Sequence, residues 1–166
     1  MAAAYELLSL SPEVAIRPMT EADVAAVAAA ERMAYQFPWS EGIFRDCVRV
    51  GYVCRVVVVD EAVIGYSIMS VGAGEAHILN LCIAQEFRCH GLGRRLLNYM
   101  LDRARAAGMA EAFLEVRPTN TTAIRLYQSL GFEQVGIRKG YYQAVAGRED
   151  ATVFKLALRD QHRRPV

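Results

Sequence analysis

Residues 85–97 read QEFRCHGLGRRLL, and this stretch decides the fold of the chain. An apolar run from Ala76 to Ala84 precedes the stretch and is typical of a strand. Apolar residues follow it at the spacing of a helix face, namely Leu96, Leu97, Met100, Leu101 and Ala104. The order therefore predicts a strand, a short glycine loop and a helix.

A loop of this kind is able to bind an anion. The first backbone N–H groups of a helix lack partners within the helix and lie at the positive end of its dipole. Gly91 and Gly93 have no Cβ, so a phosphate can approach the backbone closely. An ordinary strand-to-helix turn has the same appearance in sequence, but Arg88, which precedes the first glycine, favours phosphate.

Two better-known phosphate loops do not match this stretch. A Walker loop ends in Gly-Lys-Ser/Thr, whereas Arg94 and Arg95 follow Gly93. A dinucleotide fingerprint needs a third small residue where this chain has Leu96. The pattern Arg-x-x-Gly-x-Gly at 88–93 instead resembles the pyrophosphate loop of the GNAT family of N-acetyltransferases. In that family the loop holds the diphosphate of acetyl-coenzyme A (acetyl-CoA).

The bulk properties are those of an ordinary globular protein. The chain has 166 residues, of which 54% are apolar and 22% charged, enough for one sizeable core. A net charge of +1 argues against a nucleic-acid binder, and no apolar run approaches the length of a membrane span. The segment Met1–Glu13 contains Glu6 and has no basic start, so we do not expect a secretory signal.

The cysteine pattern bears on metals and on location. The 4 cysteines lack Cys-x-x-Cys spacing and are accompanied by only 3 histidines, so neither a zinc site nor a disulfide framework is indicated. We expect no metal, and a reducing cytoplasm is the expected location. We also expect no nucleic-acid or membrane partner, and a chain that acts as a monomer.

The first part of the chain predicts a strand and two helices. The strand is Val14–Arg17, and Thr20–Asp23 forms a capping box for a helix. The predicted inner face of this helix comprises Val24, Val27, Ala28 and Met33. Ser40 caps a second helix. The predicted apolar side of the second helix comprises Ile43, Phe44, Cys47 and Val48.

The remaining elements alternate between strands and helices. A hairpin joins strands at 52–59 and 63–71 through Asp60–Ala62. The helix after the glycine loop ends at Gly108, and a strand follows at Phe113–Val116. A further helix begins at Asn120 or Thr121 and ends at Gly131. The last two strands are Phe132–Tyr141 and Ala151–Leu158, and a polar loop separates them. The inner face of the helix after Asn120 comprises Ala123, Leu126, Tyr127 and Leu130.

The strand–helix–strand order makes the strands at 76–84 and 112–116 parallel neighbours with a right-handed connection. From about Ile16 to Leu158 the chain resembles the GNAT fold. The resemblance implies an α/β fold (mixed α+β). Its central sheet is mixed and mostly antiparallel, of about six to seven strands with one splayed parallel pair, and about four helices flank it.

We expect a single acetyltransferase domain at 14–158, with terminal tails at 1–13 and 159–166. In the GNAT family the pantetheine arm of the cofactor lies in the splay of the parallel pair. The resemblance implies contacts between this arm and the backbone groups of Leu81–Ile83, since free backbone groups of a splayed sheet need partners.

Two residues have the chemistry that acetyl transfer to an amine needs. The reaction requires a base for the proton of the amine and stabilisation of the developing charge. Glu115 ends a strand of the parallel pair, where ligands collect, although a solvated carboxylate fits the sequence as well. Tyr127 lies on the following helix, where a core tyrosine with a satisfied hydroxyl is the alternative.

Further blocks resemble the bacterial ribosomal-protein alanine N-acetyltransferases, the RimI type of the GNAT family. These blocks are Leu114–Arg117 with Asn120, Ala123, Leu126, Tyr127 and Leu130–Phe132; Phe37–Ser40; and Tyr141–Tyr142 with Gly147–Ala151. The resemblance implies that Glu115 is the base, commonly through water, and that Tyr127 is the acid. The implied acceptor is the N-terminal alanine of small-subunit ribosomal protein eighteen.

The resemblance also implies the binding residues. Those implied for acetyl-CoA are Leu81, Cys82, Ile83, Arg88, Cys89, His90, Gly91, Leu92, Gly93, Arg94 and Asn120. Those implied for the acceptor are Phe37, Trp39, Tyr142, Glu149 and Asp150. The two acidic residues either meet basic residues of the acceptor or form a solvated loop. The RimI type often has Gln or Arg where Cys89 and His90 stand, so only backbone contacts are implied there.

Two other functions stay open. An acetyltransferase of the same fold with a lysine or a small amine as acceptor would keep the glycine loop and Tyr127. A non-catalytic acyl-CoA sensor would bind the cofactor and regulate a partner, but the presence of both Glu115 and Tyr127 argues against it. An α-amine is easier to deprotonate than a lysine, with ordinary pKa values of about 7.7–8.0 and about 10.4. This difference favours a protein N-terminus.

Overall fold

The computed structural model describes residues 13–159. The predicted tails, 1–13 and 159–166, therefore lie outside the described residues, apart from Glu13 and Arg159. The described part contains seven strands and four α-helices. In chain order they are β1 (Ala15–Pro18), α1 (Val24–Ala34), α2 (Glu41–Arg49), β2 (Val53–Val59), β3 (Ala62–Gly72), β4 (Glu75–Ile83), α3 (Leu92–Ala106), β5 (Glu111–Val116), α4 (Thr121–Ser129), β6 (Glu133–Gln143) and β7 (Arg148–Ala157).

The strands form one sheet in the order β1-β2-β3-β4-β5-β7-β6. The pairs β1/β2, β2/β3, β5/β7 and β6/β7 are antiparallel. The pair β4/β5 is parallel, and its two strands are connected through α3. The predicted fold class, a mixed and mostly antiparallel sheet with one parallel pair and flanking helices, is confirmed.

The described residues divide into two compact units. The first contains the residues up to Ser70 together with Asn80–Met100, and the second contains Val71–Leu79 together with the residues from Leu101 onward. The largest fully buried side chains of the first unit are Tyr66, Phe44, Ile68, Met69, Leu96, Leu97, Met100, Val24 and Val27. Those of the second unit are Phe154, Leu101 and Leu114. The single domain expected at 14–158 stays a prediction.

The helix after the glycine loop has the predicted buried face. All five predicted residues of α3, from Leu96 to Ala104, are at most 2% exposed. The helix ends at Ala106, and the N–H of Gly108 donates to the carbonyl of Arg105 at 2.9 Å. Gly108 has a φ of 79°, a left-handed conformation that favours glycine. The predicted stop at Gly108 is confirmed.

The predicted inner face of α1 is wrong at its last position. The first three predicted residues are buried, but Met33 is 86% exposed. Glu31 is buried instead, at 3% exposed, because it follows Val24 by two helical turns and so lies on the same face. Its carboxylate accepts hydrogen bonds from the Trp39 N–H, the Tyr66 hydroxyl and the Asn80 amide. These three bonds offset the cost of burying the charge.

The second helix begins as predicted. The Ser40 hydroxyl accepts a hydrogen bond from the N–H of Ile43 at 3.3 Å, which confirms the predicted cap. Phe44 and Cys47 are buried, whereas Ile43 is 44% exposed. Ile43 therefore lies at the margin of the apolar face of α2, contrary to the prediction.

The predicted polar loop between the last two strands is shorter than expected. The strands β6 and β7 extend to Gln143 and from Arg148, and Tyr142 pairs with Glu149. A register shift between Arg138 and Tyr142 interrupts the alternation along β6, and Gly140 lies there with a φ of 56°. Because of this irregularity, the sequence pattern does not show that β6 continues to Gln143.

Candidate active site

The glycine loop joins β4 to α3 through a tight, left-handed path. A short 3₁₀ turn covers Gln85–Phe87, and Cys89 and Gly91 follow with φ values of 65° and 75°. The guanidinium of Arg88 donates from Nε to the carbonyl of Ile83 at 2.9 Å. His90 Nδ1 lies 2.8 Å from the carbonyl of Arg88, so it donates to its own loop. These contacts hold the loop against the end of β4.

The backbone of this loop fits an anionic diphosphate. The helix α3 begins at Leu92, and its first intrahelical bond runs from the Arg95 N–H to the Gly91 carbonyl at 3.0 Å. The N–H groups of Leu92, Gly93 and Arg94 precede that bond, so the helix itself gives them no acceptor. Apart from Gly91 and its two chain neighbours, no described residue has an atom within 4 Å of the place where a Cβ on Gly91 would stand. A phosphate group can therefore approach these donors closely.

The end of β4 carries the residues expected to contact pantetheine. Cys82 and Ile83 are buried, and the carbonyl of Leu81 accepts a hydrogen bond from the Tyr35 hydroxyl at 3.2 Å. The parallel pairing with β5 covers four positions and ends at Ile78 opposite Leu114, although β4 continues to Ile83. On the β5 side, the last five residues of β4 thus extend past the paired segment, and backbone groups on that side need other partners.

The Phe37–Ser40 block lies between α1 and α2. Phe37 is 38% exposed, and the Trp39 ring packs on Phe44 with ring centroids 5.4 Å apart. The N–H of Trp39 donates to Glu31 Oε1 at 3.1 Å. Trp39 is therefore attached to the core through a backbone and a ring contact, whereas Phe37 is exposed.

Glu115 is a buried carboxylate with two basic partners. Its side chain is 7% exposed, and it accepts a hydrogen bond from Arg138 at 2.9 Å and another from His77 Nε2. Burial raises the pKa of the Glu115 carboxyl, but the hydrogen bonds from His77 and Arg138 outweigh burial and hold the pKa below its ordinary value. The carboxylate is therefore anionic at neutral pH, and the solvated alternative considered from the sequence is wrong.

Tyr127 is part of the core of the second unit. Its ring packs against Phe132 and Phe154, at centroid distances of 5.9 and 6.4 Å. Burial raises the pKa of Tyr127 to about 12. None of the residues from 13 to 159 forms a hydrogen bond with its hydroxyl. The alternative of a core tyrosine is therefore right for the ring, which is buried. It is wrong for the hydroxyl, which has no hydrogen-bond partner among the described residues.

Tyr142 lies on β6, in the same unit as both predicted catalytic residues. Burial is the main cause that raises the pKa of its hydroxyl, and Tyr141 and the negative charge of Glu115 raise it further. Its ring makes an edge-on contact with Tyr141 at 4.9 Å, and the Arg117 guanidinium lies 4.4 Å from the ring centroid. Glu115, Tyr127 and Tyr142 thus belong to the same compact unit.

The two predicted acidic acceptor-binding residues already have basic partners within the chain. Glu149 pairs with Arg117 at 2.7 Å. Asp150 accepts from the Gly140 N–H at 2.8 Å and from Lys139 at 3.2 Å, and these bonds hold the pKa of the Asp150 carboxyl below its ordinary value. Asp150 thus links β7 to β6, and Glu149 links β7 to the residue after β5; the contact of either residue with a substrate stays a prediction.

Asn120 also has a structural role. Its side-chain oxygen accepts a hydrogen bond from the N–H of Ala123 at 3.3 Å, so Asn120 is the N-cap of α4. The capping bond uses the carbonyl oxygen of the side chain, and the amide nitrogen is a separate donor. The predicted contact of Asn120 with the cofactor is therefore compatible with its capping role.

Sequence reasoning missed His77 and Arg138. Neither belongs to a motif, and His77 lies near the start of β4, away from the glycine loop. The register of the parallel pair is the signal that could have found His77. It places His77 opposite Phe113, and therefore on the same face as Glu115.

Two absences concern the described part of the chain. No group of three or more His, Cys, Asp or Glu residues within 13–159 is placed to hold a metal ion. Over the same range, none of the helices is long and apolar enough to cross a membrane.

Comparison with known proteins gives the same family throughout. The sequence model of the acetyltransferase (GNAT) family matches residues 16–132. The chain is 34% identical over 140 residues to the [ribosomal protein bS18]-alanine N-acetyltransferase of Salmonella typhimurium, which covers 84% of this chain and 95% of the relative.

Two solved structures share the fold. The crystal structure of the ribosomal-protein-S18-alanine N-acetyltransferase from Escherichia coli superposes with a TM-score of 0.83 at 32% identity, over 93% of this chain and 99% of the other. The structure of yncA from Salmonella typhimurium with its cofactor acetyl-CoA has a TM-score of 0.73 at 23% identity, over 92% of this chain and 98% of the other.

The fold, the glycine loop and these similarities define the class of protein. The chain belongs to the GNAT family of acetyltransferases. It is an enzyme that uses acetyl-CoA, and among its relatives it is similar to the ribosomal-protein alanine N-acetyltransferases.

Proposed function

We propose that the protein transfers the acetyl group of acetyl-CoA to the N-terminal α-amine of a protein. The proposed acceptor is the N-terminal alanine of the small-subunit ribosomal protein S18. The observation that carries the proposal is the buried, anionic carboxylate of Glu115 next to the end of the parallel pairing. The names of the similar relatives from Salmonella and Escherichia support the choice of acceptor.

The chemistry of the acceptor supports an α-amine. An amine must lose its proton before it can attack the thioester. With an ordinary pKa of about 7.7–8.0, roughly a tenth of an α-amine is neutral at pH 7. A lysine with a pKa of about 10.4 would cost on the order of 4 kcal/mol more to deprotonate than a group titrating at neutral pH. The Glu115 carboxylate has a lowered pKa and accepts protons weakly, so it is better matched to an α-amine than to the more basic amine of a lysine.

The glycine loop is proposed to hold the cofactor. The backbone N–H groups from Cys89 to Arg94 and the start of the α3 dipole suit the diphosphate. The backbone of Leu81–Ile83 suits the amides of pantetheine, and the amide nitrogen of Asn120 is a further donor. The bound cofactor supplies an activated acetyl group as a thioester.

Glu115 is proposed to act on the side of the amine. Its negative charge favours the approach of an ammonium group and removal of the proton, commonly through water. Because the hydrogen bonds of His77 and Arg138 hold the pKa of Glu115 low, a proton placed on this carboxylate is only weakly held. Tyr127 is proposed to act on the side of the thiol, where its unbonded hydroxyl can donate to the leaving sulfur.

The acceptor is proposed to contact the two aromatic segments of the chain. Phe37 and Trp39 suit the small first side chain and its neighbour, and Tyr142 belongs to the same unit as Glu115. Glu149 and Asp150 suit basic residues further along the acceptor only if those residues compete with Arg117 and Lys139.

A peptide assay tests the proposal. The expected result is rapid acetylation of a synthetic peptide that begins Ala-Arg, read by mass spectrometry. The control peptide has a blocked α-amine and a free lysine. Equal rates on both peptides would contradict an N-terminal acceptor and favour a lysine or a small amine. Cofactor binding without transfer to any amine would favour the sensor.

A variant of the enzyme tests the role of Glu115. Glu115→Gln should lose rate most at low pH, where the amine is protonated, and recover partly as the amine deprotonates unaided at higher pH. A pH–rate profile parallel to that of the parent enzyme would remove Glu115 from the role of base.

A further inference from the structure

Arg117 directly follows β5 and contacts both strands of the β6–β7 hairpin. Its Nη1 donates to the Glu149 carboxylate on β7 at 2.7 Å. Its Nη2 donates to the carbonyl of Gln143, the last residue of β6, at 2.9 Å. Its guanidinium carbon lies 4.4 Å from the centroid of the Tyr142 ring. One side chain thus contacts a carboxylate, a main-chain carbonyl and an aromatic ring, all within one compact unit.

An irregularity separates the end of this hairpin from the regular part of the sheet. Arg138 pairs with Ala151, and the next pair is Tyr142 with Glu149, so the chain advances by four residues on β6 and by two on β7. Extra residues of this kind interrupt the ladder of hydrogen bonds between two strands. The position of the hairpin end therefore depends on side-chain contacts as well as on strand pairing.

Hydrogen bonds within the hairpin do not fix its position relative to β5. Asp150 accepts from the Gly140 N–H at 2.8 Å, and Arg148 donates to the Tyr141 carbonyl at 3.1 Å, so both bonds join β7 to β6. Arg117 instead joins the two strands to the segment that follows β5. Loss of its side chain should therefore free the hairpin end without separating the two strands.

The contacts of Arg117 use the planar shape of a guanidinium. Its N–H donors lie in one plane, so two nitrogens can serve two acceptors while the face of the group lies on an aromatic ring. A lysine ammonium is a point charge and does not reproduce this arrangement. The Arg117 and Glu149 side chains are 31% and 29% exposed, so water screens their charges and the pair contributes little to stability. These contacts therefore orient the hairpin end more than they stabilise it.

We propose that Arg117 is a positioning residue that orients Tyr142 and the end of the β6–β7 hairpin for binding of the acceptor. This inference rests on the proposed function, in which Tyr142 contacts the acceptor and Glu115 is the base. Arg117 lies two residues after Glu115, and its carbonyl accepts from the Asn120 N–H at 2.9 Å at the start of α4. The residue thus connects the strand of the proposed base to the hairpin of the proposed acceptor contact.

Steady-state kinetics with two matched variants test this role. Arg117→Ala should raise the KM for the peptide that begins Ala-Arg by about 10-fold, the effect of losing a cation–π contact and a hydrogen bond. The KM for acetyl-CoA and kcat at saturating peptide should stay near their parental values. Arg105→Ala is the control, because Arg105 forms an exposed pair with Asp102 at 3.0 Å in the same unit. A parental peptide KM in Arg117→Ala, or an equal rise in both KM values, would overturn the proposal.

A double-mutant cycle tests whether Arg117 acts through Tyr142. Tyr142→Ala alone should raise the peptide KM, and Arg117→Ala added to it should raise the KM by less than it does in the parent enzyme. Fully additive effects would refute an action through Tyr142. If Arg117→Ala does not fold, Arg117→Lys keeps the positive charge without the planar group, and a parental peptide KM in that variant would refute the proposal equally.

The opposite assignment predicts a change of the opposite sign. If Glu149 bound a basic residue of the acceptor and Arg117 only masked its carboxylate, Arg117→Ala would lower the KM for a peptide that begins Ala-Arg relative to one that begins Ala-Ala. A positioning role predicts the same rise of KM for both peptides. A KM that falls for the Ala-Arg peptide alone would therefore exclude the positioning role.

Hydrogen exchange in the absence of acceptor separates this inference from the proposed function. Arg117→Ala should speed the exchange of amides within residues 141–149 several-fold, and Arg105→Ala should not. Unchanged exchange in Arg117→Ala would contradict the positioning role even if N-terminal peptides are acetylated. If the parent enzyme acetylates the lysine control peptide as fast as the N-terminal one, the proposed function fails, whereas faster exchange in Arg117→Ala still supports the role of Arg117 in the hairpin.

Discussion

Removal of the Tyr127 hydroxyl tests how the leaving thiolate is stabilised. Tyr127→Phe keeps the ring that packs on Phe132 and Phe154 at 5.9 and 6.4 Å, so the core of the second unit should not change. Only the hydroxyl is lost, and no residue described in the structure is hydrogen-bonded to it. The effect on activity therefore reports on the reaction itself.

The expected magnitude follows from the pKa of Tyr127. The thiol of the coenzyme resembles that of cysteine, with a pKa of about 8.5. Burial raises the pKa of Tyr127 to about 12. A complete proton transfer to the thiolate is then uphill by about 3.5 pKa units, or about 5 kcal/mol. The hydroxyl therefore acts as a hydrogen-bond donor to sulfur more than as a proton donor.

A hydrogen bond to a charged group contributes about 1.5–3 kcal/mol, which is a factor of about 10 to 150 in rate. We therefore expect Tyr127→Phe to lower kcat by this factor and to leave the KM for acetyl-CoA nearly unchanged, measured on the peptide that begins Ala-Arg. Tyr52→Phe is the matched control, because Tyr52 is 41% exposed and should tolerate the loss of its hydroxyl. Parental kcat in Tyr127→Phe would refute the reasoning.

Three further predictions concern the glycine loop and the stability of the first unit. Gly93→Val, in the first turn of α3, should raise the KM for acetyl-CoA with little change in Tm. Gly91→Val should raise the KM and also lower Tm, because Gly91 has a φ of 75°. Unchanged calorimetric binding of acetyl-CoA in both variants would contradict the loop assignment. Cys89 is exposed, so thiol reagents should alkylate it and inhibit, and acetyl-CoA should protect it; equal labelling by mass spectrometry with and without cofactor would contradict this. The hydrogen bond from Arg17 lowers the pKa of Asp23 to about 2, below its unfolded value of about 3.9. The ionised Asp23 therefore stabilises the fold above about pH 4, and this stabilisation is lost as the pH falls toward about 2. Asp23→Asn should flatten the dependence of Tm on pH between about pH 4 and 2, and an unchanged dependence would contradict this prediction.

Much of the fold could be predicted because its elements are encoded locally. The helix after the glycine loop shows its buried face at every turn, and the hairpin turn at Asp60 and Glu61 takes two positive φ values of 47° and 65°. The cap at Ser40 and the stop at Gly108 follow from the same short-range chemistry. Each of these depends on residues within about one turn of one another.

The misses have a common cause in contacts between distant segments. The helix spacing puts Glu31 on the buried face, but a carboxylate is tolerated there only because Tyr66 and Asn80, more than 30 residues away, donate to it. His77 meets Glu115 only when β4 and β5 are paired in one particular register. No local periodicity reports such partners, so a charged residue on an apolar helix face and a lone histidine in a strand carry little information by themselves.

The buried carboxylate of Glu31 holds the backbone of the α1–α2 linker through a bond that does not depend on the side chains of the linker. The bond to this carboxylate comes from the main-chain N–H of Trp39, which every residue except proline possesses. The side chain at Phe37, which is 38% exposed, can therefore be exchanged while the chain keeps its course, whereas the ring of Trp39 also packs on Phe44. If the linker contacts the acceptor as proposed, side-chain libraries at Phe37 can vary acceptor preference without redesigning the backbone, provided that Glu31 is retained.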